Sequence, residues 1–252
     1  MIWLTWLILG VGVAECVAAA FPRRPVAALV SGIVAVGALG GFATVADWLA
    51  TAFVAGAVVV WRWLSVNGER DAWHARGALL GLVIPAAVLV GFSGFAGPVS
   101  APLASWLTWM DLPGPDQPPE RLLLLFALAV ANTSAGNRIV RLVLIASHAR
   151  PPRLPGRTAE ASSADAVAPA SERLRGGRLL GPLERLIILG FGAAGYLEAS
   201  GLIIAAKGLL RFPELQAAAK SGSAEADEVT EYFLVGTLTS LLLALASAVL
   251  LM

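Results

Sequence analysis

The polar groups of this chain that could do chemistry sit inside an apolar run. Leu122 to Ile145 reads LLLLFALAVANTSAGNRIVRLVLI and carries Asn132, Thr133, Ser134, Asn137, Arg138 and Arg141. Residues three and four apart share a helix face. Thr133, Asn137 and Arg141 therefore form one row, and Ser134 with Arg138 forms the row beside it. Guanidiniums and amides so placed suit an ion or proton path, or an anion site in which Arg138 and Arg141 hold a phosphate or carboxylate. The run is long enough to cross a bilayer, which takes about 20 residues. In hydrocarbon such groups cost a few kcal/mol each, so they turn toward protein or water.

Acidic partners are sought in the other apolar runs, where Glu15, Glu184 and Glu198 stand inside or at the edge of a span. At ~1.5 Å per helical residue, Glu15, Glu184, Arg138 and Arg141 meet at one depth near the inner face. Glu198 falls about 21 Å further along its span than Glu184, opposite Asn132. The competing interpretation is a set of ion pairs that fix helix register, with Arg141 and Arg185 snorkelling to the interface.

Other motifs carry less chemistry. Gly190, Gly192 and Gly195 spell G-x-G-x-x-G, but a dinucleotide site needs a strand before the turn, and both flanks here are span-length apolar runs. The spacing suits close helix packing instead, as do Ala199, Gly201 and Ala205. His74 and His148 have no acid or cysteine at metal-ligand spacing, and zinc takes three or four ligands. Cys16 is the single cysteine, which excludes an internal disulfide and any multi-cysteine metal centre. No catalytic residue, metal ligand or cofactor motif emerges, so an enzyme is disfavoured.

The elements that must position these groups follow from composition. Hydrophobic residues make up 58% and charged residues 14% of the chain, against about a quarter charged in soluble domains, and mean hydropathy is +0.77. The fold class is all-α: one transmembrane domain, a polytopic helical bundle of about seven spans. The first runs from about Ile2 to Phe21; it has no basic residue ahead of it and contains Glu15, so it is expected to be retained rather than cleaved. The others begin near Val26, Asp47, Ala78, Leu122, Gly181 and Glu231. Gly37 with Gly41, and Gly77 with Gly81, have G-x-x-x-G spacing, which favours packing within the chain and allows a homo-oligomer. Residues 102–112, with Trp106 and Trp109, are too short to span and read as interfacial or re-entrant.

Residues 148–178 are rich in Pro, Ala, Ser and Arg without periodicity, the composition of a disordered basic loop. Placing that loop in the cytoplasm leaves only Arg121, Lys207, Arg211 and Lys220, of 18 lysines and arginines, on the other side. The positive-inside rule then sets a bacterial plasma (inner) membrane protein with its amino terminus outside and, after seven spans, its carboxyl terminus cytoplasmic. The expected partners are the bilayer and anionic lipid headgroups at the basic loop. A formal net charge of +1 gives no reason to expect nucleic acid.

From Gly181 onward the chain resembles the carboxyl-terminal part of a bacterial membrane family of unassigned activity, the domain of unknown function 3307 proteins. The residues that carry the resemblance are Gly181, Leu183, Glu184 and Arg185, then Glu198, Gly201, Lys207, Arg211 and Phe212. The most specific stretch is E-Y-F-L-V-G-T-L-x-S, from Glu231 to Ser240. Gly208 stands where a serine commonly follows the lysine. The resemblance covers residues 181–252 and implies that these polar positions belong to a recurring module; it implies no activity.

Two functions fit this reading. One is transport or permeation of a small solute or ion past Asn132, Asn137, Arg138 and Glu198. The other is a non-enzymatic membrane scaffold that recruits a partner through its cytoplasmic loop.

Overall fold

The computed structural model describes residues 1–39, 42–109, 118–149, 177–209 and 224–252, and among these every regular element is a helix. In chain order the α-helices are α1 (Ile2–Ala20), α2 (Pro25–Leu39), α3 (Val45–Asn67), α4 (Ala72–Gly91), α5 (Ala101–Trp109), α6 (Pro119–Thr133), α7 (Ala135–Ala146), α8 (Gly177–Ala193), α9 (200–209) and α10 (Ala224–Val249). Helices α1, α3, α4 and the Thr230–Val249 part of α10 are long and apolar enough to cross a membrane, making four. Counting α6 and α7 as one bent span makes five. The basic loop expected over 148–178 falls almost wholly outside the described residues.

Helix starts follow local chemistry. Pro25 opens α2 and Pro119 opens α6, at the position where a missing N–H costs nothing. Thr44 and Asp47 form a reciprocal capping box at the start of α3. The Asp47 carboxylate also accepts from Trp3 Nε1 at 3.0 Å and from the Gly97 N–H at 3.1 Å. One buried acid thus ties the start of α1 to the start of α3 and to the chain leaving α4. We call this the N end of the bundle. Phe42 stacks on Trp48 there, with ring centroids 4.6 Å apart.

Helix α1 is the hub, buried along most of its length and packed on α2, α3, α4, α6 and α7. Two glycines let its neighbours approach. A Cβ on Gly32 of α2 would lie 2.5 Å from the Gly10 carbonyl, and one on Gly12 would lie 3.0 Å from the Ala131 amide. Gly77 and Gly81 of α4 receive Leu64 of α3, whereas Gly37 has nothing within 4 Å. Of the two expected G-x-x-x-G pairs, therefore, Gly77/Gly81 packs within the chain. Gly37 does not, and its partner Gly41 lies outside the described residues.

The last third departs from expectation. The single span expected from Gly181 to Lys207 is a hairpin. Helix α8 ends in a Schellman turn: the Tyr196 N–H reaches the Phe191 carbonyl at 2.8 Å, the Gly195 N–H reaches the Gly192 carbonyl at 3.1 Å, and Gly195 has φ +81. The third glycine of G-x-G-x-x-G is thus the turn residue. The second, Gly192, packs on Ala248 of α10, and the first, Gly190, meets nothing within 4 Å. Helix α9 then runs back until Lys207 meets Glu184.

This reversal changes where the chain ends. Helix α10 places Gly236 against Leu144, Ser247 against Asn132, and Leu251 in a cluster with Leu124 and Leu128. It therefore runs antiparallel to α6 and α7, toward the N end. Both chain termini lie in the same half of the bundle, contrary to the opposite-sides arrangement expected from an odd number of spans. Lys207, expected on the N side, lies level with Glu184 beyond the bundle centre.

Candidate functional site

The polar run from Leu122 to Ile145 breaks. Three successive residues favour side-chain bonds back to the helix they end. Asn132 Nδ2 donates to the Leu128 carbonyl at 2.9 Å, and Thr133 Oγ1 donates to the Val130 carbonyl at 2.6 Å. Ser134 separates α6 from α7, whose axes differ by 51°. The face expected to run unbroken from Thr133 to Arg141 is accordingly split. Thr133 turns to Cys16 Sγ at 3.3 Å, while Asn137 and Arg141 belong to the second half-helix.

Arg185 of α8 fills the break. Its Nε donates to the Asn132 carbonyl at 3.0 Å, Nη1 to Ser240 Oγ at 3.0 Å and Nη2 to Asn137 Oδ1 at 2.5 Å. It is 2% exposed and has no carboxylate in ion-pair contact among the described residues. The half-negative carbonyl end of α6 faces its charge instead. A Cβ on Gly136 would lie 2.9 Å from Arg185 Nε, so the first turn of α7 needs glycine for the guanidinium to lie against it. Ser240 and Ser247 sit seven residues, or two turns, apart on one face of α10. Ser240 meets Arg185, and Ser247 accepts from Asn132 Nδ2 at 3.0 Å.

A second polar layer lies at the far end of the bundle. Glu15, 5% exposed, accepts from Trp61 Nε1 at 3.0 Å and Arg62 Nη1 at 2.8 Å, and its other oxygen lies 4.0 Å from Arg138 Nε. Arg138 and Arg141 converge on one oxygen of Glu69, at 2.6 and 3.0 Å. Arg62, Arg138 and Arg141 thus face two carboxylates, leaving one positive charge in excess. Beside them Arg76 caps α7 by donating to the Ala146 carbonyl at 3.0 Å.

The eight residues singled out by sequence therefore divide, with Thr133 standing apart against Cys16. Asn132 and Asn137 meet at the break. Glu15, Arg138 and Arg141 meet at the far end, as depth counting expects. Glu184 joins neither group, because the α8–α9 hairpin gives it Lys207. Glu198 is exposed at the hairpin tip and does not approach Asn132. Arg185, expected to snorkel, is buried because the break supplies it with acceptors. Sequence reasoning passed over Arg185, Glu69, Arg62 and Ser247 as site residues. The seven-residue spacing of Ser240 and Ser247 in an apolar helix was the available signal. Among the described residues no three His, Cys, Asp or Glu side chains gather as a metal site.

The chain matches no family model, no curated protein and no solved structure. Its own geometry carries the functional argument.

Proposed function

We propose that this is a multi-pass protein of a bacterial plasma membrane that carries or conducts a small solute or ion, and that its site is the broken fifth span. The observation that carries this is the 51° interruption between α6 and α7, with a buried arginine and two asparagines assembled on it. Irregular backbone at membrane depth persists only where protein or a cavity surrounds it. Discontinuous helices whose ends face the substrate are a recurring device of secondary transporters.

In this proposal the far end, with its arginine layer, faces the cytoplasm and the N end faces out. The carboxyl terminus follows the amino terminus to the outside. Seven spans are then replaced by α1 to α4, the bent α6–α7 pair, the α8–α9 hairpin and α10. The likeness of residues 181–252 to the domain of unknown function 3307 proteins enters as a proposal that the hairpin, Arg185 and Ser240 form the shared module.

The second reading, a scaffold, is favoured by one observation: each nitrogen of Arg185 already has a protein acceptor, as a purely structural group would. Proteoliposomes screened on solid-supported membranes with inorganic anions, carboxylates and proton gradients separate the two. A saturable current that Arg185→Gln or Asn137→Leu abolishes, and that deletion of residues 151–176 leaves intact, supports transport. Currents equal to those of protein-free liposomes across the whole panel would overturn it in favour of the scaffold.

A further inference from the structure

Beside the break lies a cavity of about 360 Å³ between α1, α4, α6, α7 and α10, within the range of ~300–1,000 Å³ usual for small-molecule pockets. Its wall is aliphatic, as at Val11 and Val83, and among the described residues its polar side chains are Asn132 and Ser247. The α1 side is buried, while Val83 on α4 and Ala246 on α10 are exposed. The mouth therefore opens sideways between α4 and α10, onto the surface that a bilayer would cover.

One polar atom in this wall is unspent. The Leu128 carbonyl can only accept, so the amide nitrogen of Asn132 faces it. That nitrogen also donates to Ser247 Oγ, which itself donates to the Leu243 carbonyl at 2.8 Å. Asn132 Oδ1 is left with no partner among the described residues and under 1 Å² of its own surface accessible, so a donor in the cavity reaches it by a small turn of the amide. A buried acceptor in apolar surroundings is costly unless a donor reaches it.

The wall restricts what that donor can belong to. A buried water wants about three polar partners; Oδ1 and the first turn of α7 could hold one, but it would leave the aliphatic length of the cavity unfilled. A carboxylate carries no donor for Oδ1. An ammonium would meet the charge of Arg185, which lies directly behind Gly136. A hydroxyl donates and accepts at once. It can give its proton to Oδ1 and accept from the first turn of α7, whose N–H groups lack intrahelical acceptors and whose Ala135 and Gly136 line the cavity.

We propose that this cavity takes a single-chain lipid alcohol entering from the bilayer, its chain along the aliphatic wall and its hydroxyl donating to Asn132 Oδ1. The proposal rests on the reading of the broken span as the binding site.

The test uses the full chain in nanodiscs, labelled with a diazirine-bearing dodecanol and competed with 1-dodecanol, its methyl ether or dodecanoate. Saturable labelling is expected on peptides containing Asn132 and Ser247. The ether and the carboxylate should compete roughly fivefold to tenfold more weakly than the alcohol, the worth of one neutral hydrogen bond. Asn132→Leu should erase the preference for alcohol over ether. Ala246→Phe, at the exposed mouth, should block labelling even if the first variant fails to fold. Equal competition by alcohol and ether, or labelling indifferent to Ala246→Phe, overturns the proposal. Specific dodecanol binding in a chain that passes no current would keep this site and remove the transport reading; a current without dodecanol binding would do the reverse.

Discussion

Arg185 Nε donates to the Asn132 carbonyl at 3.0 Å, so a guanidinium from one helix completes the broken end of another. The helix α6 stops where its own polar side chains compete for its carbonyls, and the exposed carbonyl end is a site of partial negative charge. Burying the arginine there removes two problems together, an unpaired carbonyl and an unpaired cation.

Removing that arginine should therefore be expensive. Arg185→Leu leaves Asn132 O, Asn137 Oδ1 and Ser240 Oγ without their donor, at about 1–3 kcal/mol for each buried group that finds no substitute. Arg185→Lys keeps the charge without the fork and should fall between wild type and Arg185→Leu. Unfolding of the purified protein in detergent measures both. Equal stability of all three proteins would show that the break holds itself.

The ion pair between Lys207 and Glu184 predicts a topology. Single cysteines at Ser163 and Ser223, in a Cys16→Ser background, should react with a membrane-impermeant maleimide from the same side. Cysteines added at the two chain ends should both react from the other side. Labelling of Ser163 and Ser223 from opposite faces would restore the single-span reading of residues 181–207 and contradict the hairpin.

Small residues separate by neighbour rather than by motif. Gly32→Ala puts a Cβ against the Gly10 carbonyl and should destabilise the α1–α2 contact by about 1–3 kcal/mol, the usual cost of overpacking. Gly37→Ala meets nothing within 4 Å and should not destabilise, with a gain of up to about 1 kcal/mol from helix propensity. Cosedimentation of Gly37→Leu with wild type would tell whether that face is used between copies; a shift in oligomer size would show that it is.

The two glutamates of the far-end layer should behave differently. Glu15→Gln leaves Arg62 facing a neutral amide in a buried setting, and breaking a buried pair costs about 3–5 kcal/mol. Glu69, with its side chain 39% exposed, is screened by solvent, so Glu69→Gln should cost about 1 kcal/mol or less. The same unfolding assay in low and high salt discriminates them: only the Glu69 effect should fade with salt.

Much of the architecture is legible in the sequence because hydropathy reports transfer out of water. Leu, Val and Ala runs of span length identify α1, α3, α4 and α10, whereas Asn132, Thr133 and Ser134 read as part of a stripe on one continuous helix and not as the break they make. Depth counting along helices brings Glu15 to the level of Arg138, but it also brings Glu184 there, and the hairpin gives that residue to Lys207 instead. What hydropathy cannot report is which helix lies in the middle, since lipid and protein interior are equally apolar. That α1 is the hub was decided by Gly10 and Gly12 meeting Gly32 and Ala131, contacts between distant segments.

The sequence by itself determined that this chain is a bundle of apolar helices, one of whose runs, Leu122 to Ile145, carries a polar stripe. Tertiary structure alone decided that this run breaks and what the break holds. A Schellman turn at Gly195 folded one apparent span in two, gave Glu184 to Lys207, left Glu198 at the tip and sent the last helix back to the N end. With that reversal Ser240 and Ser247 reach Arg185 and Asn132, a meeting no spacing along the chain encodes, because it depends on the direction in which α10 crosses the break.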